Sequence, residues 1–189
     1  MKREHILIND IVIPDGYERL EYIQSQGNQW IDTGLITSSS WTSYQFEGEM
    51  ARSGSPAGAA HGTHYWGMGS SGTTWWDFGG TIVLDQWYKM KFIKQIRQKV
   101  EIYLDDVLKY TSTGSTWTNS NYNLHLFLFR LTNGSIGKWK CKWGIFTLDG
   151  IDERIYLPLI RLYDSKPGLF DFAHNVFYTN AGTGEFLYA

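Results

Sequence analysis

Apolar and polar residues alternate along much of this chain with a period of two. In residues 44–50, Tyr44, Phe46 and Met50 share one face, and Gln45, Glu47 and Glu49 share the other. In residues 87–93, Tyr88, Met90 and Phe92 alternate with Lys89 and Lys91, and Val100, Ile102 and Leu104 repeat the pattern. Trp139, Cys141 and Trp143 are expected on one face, with Lys138, Lys140 and Lys142 on the other. Such alternation predicts strands with one side on a core and one in water. Residues 124–129 are apolar on both faces apart from His125, which predicts a central strand. Helical periodicity is nearly absent.

Turn chemistry divides these runs. Asp105-Asp106 follows Leu104, and Asp149-Gly150 gives a hairpin signal between Phe146 and Ile155. Residues 53–62 are rich in Gly, Ala and Ser and predict a mobile loop. Residues 112–123 form a polar stretch carrying Trp117 and Tyr122. Pro14-Asp15-Gly16 sets the run 6–13 apart, as an edge strand or an assembly arm. Short β-rich runs at regular spacing predict an all-β fold, a sandwich or barrel. The expected division is an arm or edge strand at residues 1–15 and one sandwich domain at 16–189.

Composition sharpens this picture. The 189 residues suffice for one such domain with a sizeable core. Nine tryptophans, twelve tyrosines and ten phenylalanines make up 16% of the chain, an enrichment that favours pleated, half-buried surfaces. A formal net charge of −2 gives no global pull toward nucleic acid or anionic membrane. The one cysteine, Cys141, has no intrachain disulfide partner, so packing must supply stability. Residues 1–10 lack an apolar stretch of signal-peptide length, and no run reaches transmembrane length. Synthesis in a reducing cytoplasm and no membrane insertion are the expectations.

Several patterns invite a chemical reading, and each has a plainer one. Glu47 and Glu49 form the nearest approach to the paired carboxylates of a glycoside hydrolase, but the longer acid spacing of such motifs is missing, and a solvated strand face is favoured. Gly67-Met68-Gly69-Ser70-Ser71-Gly72 fits a dinucleotide-binding spacing, yet no helical pattern follows it. His61 and His64, with Asp77, fall short of a convincing metal set. Asn133-Gly134-Ser135 fits a glycosylation acceptor without a secretory signal. The lysine stripe 138/140/142, with Lys89 and Lys91, reads as a solvated face ahead of a site for an anionic polymer. Most weight falls on the aromatics. Trp66, Trp75, Trp76, Trp117 and Tyr122 lie in or beside predicted loops, and neighbours Trp75 and Trp76 on a strand must point to opposite faces. An exposed indole can stack on the C–H face of a pyranose, with His64, Asp77, Asn119 and Asn121 near to bond hydroxyls. The plain reading is that these rings cap the core.

Two stretches carry a family resemblance. Residues 16–34 read GYERLEYIQSQGNQWIDTG, in which Leu20, Tyr22 and Ile23 are expected as apolar anchors. Gly168-Leu169-Phe170-Asp171 is followed by Asn175-Val176-Phe177-Tyr178-Thr179-Asn180-Ala181-Gly182-Thr183-Gly184-Glu185-Phe186. Both resemble the opening and closing motifs of concanavalin A-like (laminin-G-like) sandwich domains found in bacteriophage and prophage structural proteins and gut-bacterial surface proteins. Between them, residues 126–129, Lys140-Cys141-Lys142 and Arg154-Ile155-Tyr156-Leu157-Pro158 sit where that family has similar segments. The resemblance covers about residues 16–189 and implies that they fold as a two-sheet antiparallel jelly-roll sandwich.

It implies a non-catalytic virion protein of a tail, baseplate or capsid decoration, made in the host bacterial cytoplasm. Its sandwich would bind a host-surface glycan or cell-wall polymer, and its other partners would be virion proteins, with a homo-oligomer expected and no nucleic acid. The candidate carbohydrate-binding residues are Trp66, Trp75, Trp76, Asp77, Trp117, Asn119, Tyr122 and His64. No cofactor is expected; calcium, which some laminin-G-like relatives bind, is not indicated by any Asp-rich loop. The alternatives are a purely structural cement protein with its aromatics at protein contacts and, third, a glycoside hydrolase.

Overall fold

The structure is a computed structural model that describes residues 8–36, 43–51, 57–61, 64–68, 70–71, 74–75, 83, 85–95, 99–113, 125–128, 138–150 and 152–189. It is all-β and antiparallel apart from one short 3-10 turn, Ile8–Asp10. The strands in chain order are β1 (Tyr17–Arg19), β2 (Ile23–Gln24), β3 (Ile31–Ile36), β4 (Ser43–Ala51), β5 (Ala57–His61), β6 (His64–Met68), β7 (Ser70–Ser71) and β8 (Thr74–Trp75). They continue as β9 (Trp87–Gln95), β10 (Lys99–Leu104), β11 (Val107–Thr113), β12 (His125–Leu128), β13 (Lys140–Leu148), β14 (Asp152–Arg161), β15 (Lys166–Asp171), β16 (Val176–Thr179) and β17 (Leu187–Tyr188). Of β5–β8 and β12, the backbone pairing alone is described.

The main sheet runs β11-β10-β9-β4-β13-β14-β15-β16, with β1 on β14 and with β2 bridging β13 and β17. A smaller sheet runs β3-β12-β5-β6, and β7 pairs with β8. The expected alternation sets the main sheet's two faces. Phe46, Met50, Tyr88, Met90, Phe92, Ile102, Leu104, Phe146 and Leu148 are buried, and Ile31 of β3 joins the same cluster. Leu157 and Leu159 of β14 are also fully buried. On the opposite face of β4 and β9 lie Gln45, Glu47, Glu49, Lys89 and Lys91, all partly exposed. The turn signals also hold. Asp105 and Asp106 join β10 to β11 with φ of 50° and 63°, as a two-residue hairpin requires, and Asp149 and Gly150 lie in the same left-handed region.

The two resemblance motifs meet in space. The Asn180 side chain accepts from Trp30 N–H at 3.0 Å and Gly182 N–H at 2.8 Å, and donates to the Gly184 carbonyl at 2.7 Å. Gln29 Nε2 donates to the Thr183 carbonyl at 3.2 Å, while Ala181 and Thr183 donate to the carbonyls of Trp30 and Asn28. A Cβ at Gly182 would run into the Asn28 carbonyl and the Trp30 ring, so only glycine permits this approach.

Four local expectations are corrected. Trp143 does not share the face of buried Trp139 and Cys141. The β13–β4 register passes from Cys141↔Met50 to Trp143↔Glu49, so Lys142 is an extra residue in a bulge that turns Trp143 outward. Residues 53–62 are not all loop: Ala57–His61 forms β5, paired on both sides by β6 and β12, and that double pairing overrides the weak propensity of Gly and Ala. Among the described part of 6–13 there is no strand, only the 3-10 turn. Tyr22 is not a core anchor: Leu20 and Ile23 are buried, whereas Tyr22 is partly exposed. By contrast β12 does lie between β3 and β5, as the apolar run 124–129 predicted for its described part.

Candidate functional site

The outer face of the main sheet brings two aromatics to a charged surface. Trp87 opens β9 on the same side as Lys89 and Lys91, opposite Ala51, which in turn pairs with Lys140. Ala51 is fully buried, so larger neighbours cover it. The Tyr22 ring lies 5.8 Å from the Trp87 ring at 57°. Lys142 Nζ lies over the Trp87 ring, 4.3 Å from its centroid, and Lys140 Nζ over the Tyr22 ring at 5.6 Å, so a cation sits on one face of each ring. Both distances are within cation–π range.

The lysines are held from their other side by carboxylates. Lys142 Nζ is 3.0 Å from Glu49 Oε1 and 4.0 Å from Glu21 Oε1, and Lys140 Nζ is 3.5 Å from Asp85 Oδ1. Lys89 reaches Glu47 at 3.3 Å and Asp106 at 3.0 Å, and Lys91 reaches Glu47 at 3.8 Å. The bond to Asp106 raises the Lys89 ammonium above its ordinary range against the opposing effect of partial burial, so it stays charged. The bulge at Lys142 is what makes this arrangement: it delivers an additional long side chain to the outer face beside Glu49. The result is a half-buried aromatic pair rimmed by alternating donors and acceptors.

A second polar constellation has a buried centre and a partly exposed rim. Asp171, fully buried on β15, accepts from Ile155 N–H at 3.3 Å and Ala173 N–H at 3.0 Å. Its other oxygen meets Arg154 Nη1 at 3.4 Å and His174 Nδ1 at 3.1 Å. Asp152 closes the set, 3.3 Å from Arg154 Nη2 and 3.3 Å from His174 Nε2. Burial, and then the negative charge of Asp171, push the Tyr156 hydroxyl well above the usual phenol range. Both oxygens of Asp171 are committed, to two backbone amides and two side chains. This set ties β14 to the turn after β15, and its chemistry is that of a structural hub.

A cleft of about 110 Å³ lies beside the motif clasp, lined by Lys166, Pro167, Thr179, Asn180, Gly184, Glu185 and Phe186. It is well below the ~300 Å³ of small-molecule sites. Among the described residues no group of three or more His, Cys, Asp or Glu side chains is placed to hold a metal ion, and no helix is long and apolar enough to cross a membrane.

Of the residues singled out by sequence, Trp66 and His64 fall on β6 and Trp75 on β8, strands rather than loops, and their side chains lie outside the described residues. Trp76, Asp77, Trp117, Asn119, Asn121 and Tyr122 lie outside the described residues altogether, as does 133–135. His61 and His64 are directly opposed across the β5–β6 hairpin. Gly67 and Met68 end β6 and Ser70–Ser71 is β7, so the glycine spacing sits among strands. Glu47 and Glu49 are each bound by lysine, and of the lysine stripe Lys89, Lys91, Lys140 and Lys142 pair with carboxylates.

Sequence reasoning missed Tyr22 and Trp87. The signal for Trp87 was present: it has the parity of Lys89 and Lys91, hence the outer face. No protein-family model and no curated protein matches this chain.

Proposed function

We propose that this protein is a non-catalytic, glycan-binding component of a phage or prophage particle, folded as a concanavalin A-like two-sheet jelly roll with residues 1–15 as its arm. The observation that carries the glycan reading is the outer-face platform, Tyr22 and Trp87 flanked by the Lys142–Glu49 and Lys140–Asp85 pairs. A pyranose offers a C–H face to an aromatic ring and hydroxyls that both donate and accept at its rim. The sandwich architecture is supported by Ile31 of the smaller sheet packing into the core lined by the main sheet. The particle assignment rests on the two terminal motifs. Lysine capture of Glu47 and Glu49 speaks against a carboxylate pair free for hydrolysis.

The test is a glycan-binding screen of the folded protein with Trp87→Ala and Tyr22→Ala, and with Trp75→Ala and Trp117→Ala for the residues proposed from sequence. Saturable binding lost in the first pair and kept in the second supports the platform. Loss in the second pair alone moves the site to those loops.

One observation favours the cement-protein reading. The Leu162 N–H bonds the Gly16 carbonyl at 2.9 Å, which sets the exit of the arm beside Leu162 and Tyr163, 53% and 79% exposed. A folded protein that binds no glycan, with a protein partner lost on removal of residues 1–15, would establish that role instead.

A further inference from the structure

We infer that the outer-face platform takes neutral glycans and discriminates against anionic ones; this rests on the glycan reading above. The argument is charge balance. On this face β9 and β13 contribute four lysines, Lys89, Lys91, Lys140 and Lys142, and a charge-only reading of the sequence makes them a basic patch. The structure sets five carboxylates against them: Glu21, Glu47, Glu49, Asp85 and Asp106. The closest pairs stand at 3.0 Å, and the carboxylates of Glu21 and Asp85 are themselves 65% and 53% exposed. An incoming phosphate or uronate would therefore meet negative charge at the rim and must compete with Glu49 for Lys142. A hydroxyl has no such conflict.

Each pair also suits a neutral sugar in its own right. Lys142 Nζ and Glu49 Oε1 present a donor and an acceptor side by side, 3.0 Å apart. Two vicinal hydroxyls of one pyranose match that spacing, one accepting from the ammonium and the other donating to the carboxylate. The same ammonium covers one face of the Trp87 ring, so the sugar would engage the ion pair at the rim of that ring. The ion pair thus orients its own lysine for hydroxyl recognition and leaves no net positive charge for a polyanion.

The experiment uses the full chain against neutral glucans, mannans and galactans, and against polygalacturonate and polyglycerol phosphate, each at low and at ~0.5 M salt. The expected result is binding to a neutral polymer that changes by less than about twofold with salt. The Glu21→Gln/Glu49→Gln double variant, which leaves Lys142 uncompensated, is expected to gain at least about tenfold for the anionic polymers at low salt. Wild-type binding to an anionic polymer, lost in Trp87→Ala and falling steeply with salt, would overturn this inference and leave the glycan reading standing. Binding to neither class by folded wild-type protein would overturn the glycan reading, and the inference with it. Circular dichroism on each variant, and Trp87→Phe as the ring-preserving control, separate lost recognition from lost fold.

Discussion

The outer-face platform and the Asp171 hub are built from the same chemistry, carboxylates, cations and aromatic rings, and differ in what surrounds them. At the hub, Asp171 is fully buried and each of its oxygens is committed to partners inside the fold. On the platform, Glu49 and Lys142 hold each other with 31% and 26% of their side chains exposed. A buried charge must have its hydrogen bonds supplied from within, which leaves nothing for a ligand. A half-exposed pair keeps open donor and acceptor directions toward solvent. The hub's rim, His174 and Asp152, is as open as the platform, at 36% and 37% exposed; what separates the two regions is the fully buried carboxylate at the hub's centre, which the platform lacks.

Three substitutions probe that contrast. Arg154→Leu removes the hub's cation and strands Asp171 in the interior. A stability loss of about 3–5 kcal/mol is expected in urea unfolding, with glycan affinity unchanged wherever the variant is folded. A loss under about 1 kcal/mol would mean that the hub is not a buried ion pair. Lys142→Met on the platform is expected to do the reverse. Stability should fall by at most about 1 kcal/mol, since exposed pairs contribute little, while affinity for a neutral glycan drops severalfold. The smallest effect belongs to the partly exposed Arg161–Asp164 pair, where Arg161 Nη2 lies 2.7 Å from Asp164 Oδ2. The hydrogen bonds from Arg161 hold the Asp164 carboxyl below its ordinary range. Its contribution is therefore present above the unfolded-state pKa of about 4 and is lost as pH falls through the lower folded value. Asp164→Asn should slightly lower stability at neutral pH and leave it unchanged below the folded-state value, which flattens the acid side of the profile.

Much of the main sheet was legible because its information is local. Parity along β4, β9 and β10 assigned buried and outer faces correctly, and Asp105-Asp106 and Asp149-Gly150 marked real turns. Where the expectation failed, the deciding contact was distant. Nothing near Trp143 announces that Lys142 is an extra residue against β4. The identity of β5 depends on pairing with β6 and β12, and Tyr22 is drawn outward by Trp87, 65 positions along the chain. The terminal motifs were recognisable by composition, but their mutual clasp through Asn180 and Gly182 is a tertiary fact. The platform was overlooked because attention went to aromatics in expected loops, while Trp87 sat in plain alternation with two lysines.

The most direct test of the account is an NMR titration that follows the nine tryptophan indole N–H signals, assigned by single substitution, as a neutral glycan oligomer is added. The account predicts a saturable shift of the Trp87 signal with the same midpoint as binding, accompanied by the Tyr22 ring resonances. Shifts confined to Trp66, Trp75, Trp76 or Trp117, with Trp87 unmoved at saturation, would contradict it.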